Sequence, residues 1–556
     1  MPFKIEQMST ADVTTLQKSM MEPDLIKPFT EKQILSINDT NGGSYNGNIT
    51  FDTTVLSNSG RYLDYSDATI EVPITIAMQH SVDATGAVNA YMLGLKSGYH
   101  QLIDSIQVDY QNKNVVQQQS FTNFYVSYKI HSEWSQDDLQ KYGDLTGVWP
   151  DSGASFVRAA AANARGDGVS NNSPYPLATK TYTNAVPIEQ TNEGLAHRLE
   201  NTALYLAGNG GLNTVTTAQQ NANAGRAYFT NDGVAAAGRV YIYYIIATIR
   251  LKDICDFFDK IPILKGAQIR MTINYNASRC AVLCGAGPVM SLTTTTQLAG
   301  RTVPFMVCDG TANAPFGAVQ AIAGTSTIEY NILRTVTPQA TANPLLTSCR
   351  LFVPAYTLAP EIEAKYLSSS PVKTIVYDDI YQYTVSSITT GGNFNTILTN
   401  GILNPQKLII IPFVNGASNG ATAFDEFRSP FDSAPATTGP VVSLTNLQVQ
   451  VSGKNMFDHP VNYDFEMFAN EVAKSGINGA STTGLCSGLI TKKMFDNGYR
   501  YYVCDLSRRL QSADSIPLSV QISGTNNTSA TIDLYTFVTY QKSLQVEVAS
   551  GVVVQN

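Results

Sequence analysis

The sequence predicts an all-β fold made of two tandem eight-stranded jelly rolls, with long loop insertions in the first roll. Three observations lead to this prediction. Short apolar stretches separated by Asn, Gly and Pro turns recur along the chain, which favours a sandwich or barrel over alternating strands and helices. The chain also repeats itself at a nearly fixed spacing. Only 14% of its 556 residues are charged, against about 25% in an average soluble protein, while 43% are hydrophobic.

Charge and hydropathy argue against two kinds of partner. The formal net charge is −8 and no run of basic residues is present, whereas a nucleic-acid-binding protein needs a basic face against the phosphates. The longest apolar run, Val240–Ile249, is about half of the ~20 residues that a membrane helix needs. It is rich in Tyr, Ile and Val, so we expect a buried strand. We therefore expect no sequence-specific nucleic-acid binding, no transmembrane segment and no secretory signal.

The duplication appears when the two halves are aligned. Three stretches recur in the same order at spacings of 342, 339 and 341 residues, namely Val55–Asn58 with Ile397–Asn400, Ile70–Ile74 with Ile409–Phe413, and Ile106–Asn114 with Leu447–Asn455. A shared spacing in the same order is hard to obtain by chance. It indicates two copies of one fold in a single chain.

Further elements are predicted in both copies. A short amphipathic helix follows the third stretch, since apolar residues recur there at helical spacing. These residues are Phe121, Phe124, Tyr125 and Tyr128 in the first copy, and Phe465, Phe468 and Val472 in the second. Aromatic strands are expected in the two cores at Tyr241–Ile246 and Tyr499–Val503, and final strands at Arg350–Tyr356 and Leu544–Val548.

The domain boundaries follow from the spacing. It falls from 341 to 204 residues where Thr327–Tyr330 matches Thr531–Leu534, so the first copy carries 137 extra residues. Turn-rich segments place them at about 143–238 and 277–326, and loops this long are usually functional or ordered by a partner. We predict an N-terminal arm at 1–33, jelly roll 1 at 34–358, a linker helix at 359–371 and jelly roll 2 at 372–556. The arm is apolar enough to dock against a partner.

The cysteines and histidines give no signal for a metal. Seven cysteines, an odd number, are scattered along the chain, which favours reduced core thiols. Cys280, Cys284 and Cys308 have no second close pair and no histidine near them, as a zinc site would need. The five histidines are spread over the sequence, at His80, His100, His131, His197 and His459.

Three other motifs resemble functional signatures. Gly416–Gly420 matches G-x-S-x-G after a predicted strand, but the residues that follow are a poor start for the helix of a nucleophile elbow. Arg165-Gly166-Asp167 is the tripeptide that integrins bind, and receptor binding stays open. A glycosidase would need two facing carboxylates, which adjacency cannot show, and turn or capping roles suit the acidic pairs Asp137/Asp138, Glu361/Glu363 and Asp378/Asp379. We predict no catalytic, cofactor-binding or metal-binding residues and no enzymatic activity.

Several short motifs resemble one protein family. They are Asp256–Pro262 leading into Ile269–Tyr275, Val353–Pro360, Ser429–Asp432, Tyr499–Tyr502 and the ending Tyr540–Gly551. Together they resemble the double jelly-roll major capsid proteins of virophages, polinton-like viruses and adintoviruses, in the lineage that includes adenovirus hexon. The resemblance spans roughly Ile34 to Gly551.

This resemblance implies a structural protein of the virion, made in the cytoplasm or nucleus of a host cell. It implies a homotrimer whose six rolls form a pseudo-hexagonal tile in the icosahedral shell of a double-stranded DNA virus. Partners would be neighbouring capsomers and penton and minor capsid proteins. A vertex or spike component, and a carbohydrate-active β-sandwich protein, are the alternatives. The duplication argues against the first, since such components usually carry one roll.

Overall fold

The computed structural model describes residues 28–80, 91–151, 194, 197–198, 203–206, 211–212, 228–229, 240–284, 290–309, 324–332, 348–415, 442–474, 487–508 and 516–555. Residues 1–27 of the predicted arm, most of the predicted insertion at 143–238, Arg165-Gly166-Asp167 and Gly416–Gly420 lie outside these ranges. In the part of the chain that is described, no helix has the length and apolar character needed to cross a membrane.

The first roll and its insertions contain seventeen of the described strands. These are β1 Phe29–Asn38, β2 Asn48–Asp52, β3 Tyr62–Leu63, β4 Thr69–His80, β5 Tyr91–Leu95, β6 Ile103–Tyr110, β7 Lys113–Val116, β8 Ala203–Leu206, β9 Gly211–Leu212, β10 Tyr228–Phe229, β11 Val240–Arg250, β12 Ile269–Tyr275, β13 Ala277–Cys284, β14 Met290–Ala299, β15 Phe305–Asp309, β16 Gly324–Asn331 and β17 Arg350–Leu358. The helices are α1 Thr54–Ser57, α2 Thr122–Glu133, α3 Gln136–Thr146, α4 Leu251–Ile254 and α5 Asp256–Lys260, with a 3-10 turn at Tyr99–Leu102.

The second roll follows helix α6, Pro360–Ser369, whose first turn contains proline and two glutamates. Its strands are β18 Val372–Ile388, β19 Asn393–Ile402, β20 Pro405–Val414, β21 Leu444–Val451, β22 Lys454–Asn455, β23 Tyr502–Asp505, β24 Leu518–Asn526, β25 Ile532–Glu547 and β26 Val553–Gln555. Its helices are α7 Phe465–Lys474 and α8 Lys492–Asn497.

Each roll pairs two antiparallel sheets, which we name sheet I and sheet II. In roll 1, sheet I contains β1–β17–β4–β11 and sheet II is β2–β12–β6–β7; in roll 2 they are β18–β25–β20–β23 and β19–β24–β21–β22. Numbering the eight shared strands along each copy gives the order 1-8-3-6 for sheet I and 2-7-4-5 for sheet II in both rolls. This is the connectivity of a jelly roll. The predicted fold class, two tandem eight-stranded jelly rolls, is confirmed.

The most similar stretch of the duplication is also the same in structure. Strands β6 and β7 are joined at Gln111 and Asn112, with φ of 46° and 63°, and β21 and β22 are joined at Ser452 and Gly453, with φ of 48° and 81°. Two consecutive residues with positive φ are typical of the type I′ hairpin turn, whose twist matches that of the strands. The helices α2 and α7 follow these hairpins, as the sequence predicted.

One predicted equivalence and one predicted core placement differ from the structure. Val55–Asn58 does not match Ile397–Asn400, because the first lies at α1 and the second in the strand β19. The aromatic strands are only partly in the cores. Ile245 is 4% exposed but Ile246 points outward and is 52% exposed, while Tyr499 and Tyr501 precede β23 and lie at the junction of the rolls.

The segment 277–326 is more regular than its composition predicted. Strands β13 and β14 form a hairpin and β16 pairs with β13, so this hairpin extends sheet I of roll 1. Strand β15 pairs with β5 in a separate small sheet. At the other end of roll 1, β1 begins at Phe29 and pairs along β17, so residues 29–33 of the predicted arm are part of sheet I.

Candidate functional site: the junction of the two rolls

His100 and His131 are buried beside and in helix α2. His100 Nε2 lies 2.7 Å from Ser127 Oγ, and burial, aided by the nearby His131, lowers the pKa of His100 to about 3. His131 Nδ1 lies 3.1 Å from the Tyr501 hydroxyl, and burial lowers the pKa of His131 to about 4. A general base works best with a pKa near the operating pH. Both imidazoles are therefore neutral hydrogen-bonding groups around neutral pH.

The cysteines and acidic pairs also serve the fold where they are described. Cys280 is buried in β13, and burial raises the pKa of its thiol to about 12; Cys284 is in the same strand and Cys308 in a different sheet. Among the described residues, no group of three or more His, Cys, Asp or Glu side chains is arranged to hold a metal ion. Asp138 forms a capping box with Ser135 at the start of α3.

Helix α2 forms the centre of the contact between the rolls. Ten of its twelve residues are buried, because one side packs on its own roll and the other on sheet I of roll 2. The ring of Phe124 lies 5.0 Å from that of Phe413, and the ring of Phe121 lies 4.8 Å from that of Tyr535. Such aromatic pairs contribute about 0.5–1.5 kcal/mol each beyond the area that they bury.

The C-terminal end of α2 is held by hydrogen bonds from roll 2. The carbonyl of His131 accepts the backbone N–H of Leu489 at 2.8 Å. The hydroxyl of Tyr499 donates to the carbonyl of Asp151 at 3.1 Å. The carboxylate of Asp151 is itself paired with Arg198 at 2.6 Å, and both side chains are almost fully buried. This end of the junction is therefore fixed by directional contacts as well as by apolar packing.

Strand β7 continues the junction on the other side of α2. The hydroxyl of Tyr377 donates to the carbonyl of Val115 at 2.7 Å, and Lys542 donates to the same carbonyl at 3.3 Å. Lys542 also pairs with Asp379, 2.7 Å away, whose side chain is 1% exposed. One residue of the predicted acidic pair Asp378/Asp379 thus joins two strands of roll 2 beneath a strand of roll 1.

The C-terminal residues close the junction through two glycines. Gly266 and Gly551 both have positive φ, 67° and 68°, and their backbones approach so closely that a Cβ on Gly551 would lie 2.7 Å from the Lys265 carbonyl. The Tyr110 hydroxyl donates to the Gly551 carbonyl at 2.7 Å. Nearby, Glu363 of α6 bonds both Lys265 and Tyr62. Only glycine fits such a close approach at positive φ.

Comparison with known proteins gives structural neighbours only. No family model and no curated protein sequence matches the chain. A chain of the Sputnik virophage, solved by cryo-EM, aligns with TM-score 0.49 and 12% identity over 96% of this chain and 90% of that one. The mavirus major capsid protein aligns with TM-score 0.44 and 11% identity over 100% and 94%. The Faustovirus major capsid protein aligns with TM-score 0.41 and 10% identity over 96% and 94%.

Proposed function

We propose that this chain is a major capsid protein that assembles through head-to-tail contacts between its rolls into a pseudo-hexagonal trimer. The proposal assigns it a structural role in the virion, in contact with neighbouring capsomers and with penton and minor capsid proteins. One observation supports it most directly. The outer face of sheet I, the side turned away from sheet II, packs against helix α2 in roll 2, whereas in the described part of roll 1 it exposes the apolar residues Ile34 and Ile246.

In roll 2 this face is apolar and buried. Ile409 and Phe537 are opposite one another on β20 and β25, as are Ile411 and Tyr535, and all four are at most 6% exposed. Phe413 lies on the same face and is 1% exposed. Helix α2 of roll 1 packs here, so the burial comes from the neighbouring roll.

In roll 1 the described residues cover one end of the corresponding face, where the guanidinium of Arg250 lies 4.1 Å from the ring centroid of Tyr142 in α3, and they leave apolar residues of β11 and β1 exposed. Ile246 on β11 is 52% exposed and Ile34 on β1 is 63% exposed, while the ion pair of Arg350 with Glu71 lies between them. A mixture of apolar and charged residues suits an interface that forms between separately folded chains.

Repetition of the contact seen inside the chain gives each open surface a partner. Helix α7 occupies in roll 2 the place of α2 in roll 1, and its Glu466 and Asn470 face outward. The α7 side of one copy would then cover sheet I of roll 1 in the next copy. A head-to-tail interface of this kind closes into a ring when the rotation permits, and the sequence resemblance implies closure at three chains.

The test measures the mass and shape of the purified protein. Light scattering should give three chains, and negative-stain images should show hexagonal particles.

Ile246→Lys should yield monomers with an unchanged circular dichroism spectrum, because a charge would be buried in the contact. Ile397→Lys is the matched control, since Ile397 is 49% exposed on sheet II of roll 2, and it should remain trimeric. A monomeric wild type, or equal masses for the two variants, would overturn the proposal, and a ring of five chains would point to a vertex component.

A further inference from the structure

A cavity of about 470 Å³ lies between the rolls beside α2. Roll 1 lines it with α2, α3, α4, α5 and the end of β11, and roll 2 lines it with β18, β20 and β25. Most of its lining side chains are charged. Burying charge is costly unless each group is paired and hydrogen-bonded, so the partners of these groups decide what the cavity does.

Six of the charged lining residues have a partner among the described residues. Arg250 pairs with Asp253 at 3.4 Å, Lys260 with Asp259 at 2.6 Å, and Lys252 with Asp67 at 3.4 Å, while Asp138 caps α3. Five charged residues remain in the lining. They are Lys129 and Glu133 of α2, Asp256 of α5, Asp378 of β18 and Lys407 of β20.

These five groups face one another across the cavity with few direct contacts. Lys129 Nζ donates to the Lys252 carbonyl at 3.1 Å, and Asp256 Oδ2 accepts the backbone N–H of Asp378 at 2.9 Å. Within the described residues, the carboxyls of Glu133 and Asp378 and the ammonium of Lys407 have neither a hydrogen bond nor an ion pair. Lys407 is only 7% exposed. Unpaired charges of both signs are thus held at the contact between two separately folded units.

We propose that this cavity is a proton-sensitive joint, in which protonation of Glu133 and Asp378 tightens the packing of roll 1 against roll 2. Their ionisation at higher pH loosens that packing, because hydration of the carboxylates then favours a more open arrangement.

The sign follows from the burial of each group. Burial raises the pKa of Glu133 and, together with the neighbouring Asp256, the pKa of Asp378. A carboxyl with a raised pKa binds its proton more tightly in the closed joint than in the open one. Its stabilising contribution is complete below its ordinary pKa, about 4, and is lost as the pH rises through the raised value.

The pKa values of the two lysines in the cavity, Lys407 and Lys129, shift in opposite directions. Burial lowers the pKa of Lys407, so its own contribution to the closed joint increases only as the pH rises through that lowered value toward its ordinary one. Burial opposes the charge on Lys129, but Glu133 and other nearby acidic groups outweigh it and raise the pKa of Lys129. Lys129 therefore stays charged while the carboxyls titrate.

The test is hydrogen exchange of the α2 peptide, measured by mass spectrometry from about pH 5 to about pH 8 and corrected for intrinsic exchange. As the pH rises, α2 should lose protection in the wild type relative to the double variant Glu133→Gln/Asp378→Asn, because His100 and His131, whose lowered pKa values add protection up to about pH 6.5, act equally in both proteins. In this double variant neither side chain can ionise, so only the loss of protection that comes from Asp253, whose pKa burial also raises, should remain.

Asp259→Asn is the control, because its carboxylate is paired at the rim and more than a third exposed; α2 should keep the wild-type dependence in this variant. Should the double variant fail to fold, each single variant should weaken the dependence. Equal pH dependence in the wild type and in the folded Glu133 and Asp378 variants would overturn the inference. The readout is the same for single and assembled chains, so its failure would leave the capsid proposal intact.

Discussion

Helices α2 and α7 occupy the same place in the two rolls, yet their surroundings differ. Helix α2 is buried on all sides because it lies between its own roll and roll 2. Helix α7 contacts its own roll, where the ring of Phe468 lies 5.3 Å from that of Phe495, and it exposes Glu466 and Asn470. A helix that is buried all round has a packing partner on each side, whereas an amphipathic helix has one on its apolar side only. The difference shows which contact of the duplicated fold is completed within a single chain.

The largest expected effect comes from truncating the two equivalent phenylalanines. Phe124→Ala and Phe468→Ala each empty a fully buried site, and each should lower the free energy of unfolding by about 3–5 kcal/mol. Their consequences should differ, because Phe124 contacts Phe413 and Tyr535 of the other roll. Phe124→Ala should uncouple the rolls and give two unfolding transitions in denaturant, whereas Phe468→Ala should destabilise roll 2.

Fluorescence and circular dichroism followed across the same denaturant series would separate these cases. Coincident, single transitions for both variants would mean that α2 contributes no more to coupling than α7 does.

A smaller effect is expected at the C-terminal end of the junction. Gly551→Ala places a side chain at φ of 68° and brings its Cβ within 2.7 Å of the Lys265 carbonyl. Gly391→Ala is the control, since Gly391 has φ of 71° and nothing within 4 Å of its Cβ position. Backbone strain alone should cost about 1–3 kcal/mol in both, and the close approach should add about 1–3 kcal/mol in Gly551→Ala only. Equal melting temperatures for the two variants would show that the backbone around Gly551 shifts to accommodate the side chain without loss of stability.

The sequence contains enough information for the fold, chiefly where the two copies share a local signal. The hairpins β6–β7 and β21–β22 could be aligned because their turns need the same backbone geometry. The four-residue match of Val55–Asn58 with Ile397–Asn400 failed because so short a similarity does not determine secondary structure. Strand β14 was missed although it contains Thr293–Thr296. Threonine is a β-former, but the turn-forming residues of the same segment predict loops instead.

The junction could not be predicted in the same way, because its residues meet only after folding. Tyr499 and Tyr501 are buried, as an aromatic stretch suggests, but against Asp151 and His131 of the other roll. Lys129, Asp378 and Lys407 come from distant segments, so sequence spacing gives no sign that they share a cavity. A pattern of apolar residues predicts that a side chain is buried. It does not predict which unit buries it.

The smallest expected effect in the single chain tests the open side of α7. Glu466 pairs with Lys492 of α8 at 2.9 Å, and the two side chains are 63% and 62% exposed. Exposed pairs of this kind add little to stability and are screened by salt, so Glu466→Lys should leave the melting temperature of the monomer unchanged.

If α7 packs on roll 1 of a second copy, the same change should weaken trimers, and more so at low ionic strength, where charge repulsion is less screened. Asn395→Lys on β19 is the control, because Asn395 is exposed on sheet II of roll 2, away from the proposed contact. Trimer dissociation measured by mass photometry at two salt concentrations should separate the variants, and identical dissociation curves would leave the exposed side of α7 facing solvent in the assembly.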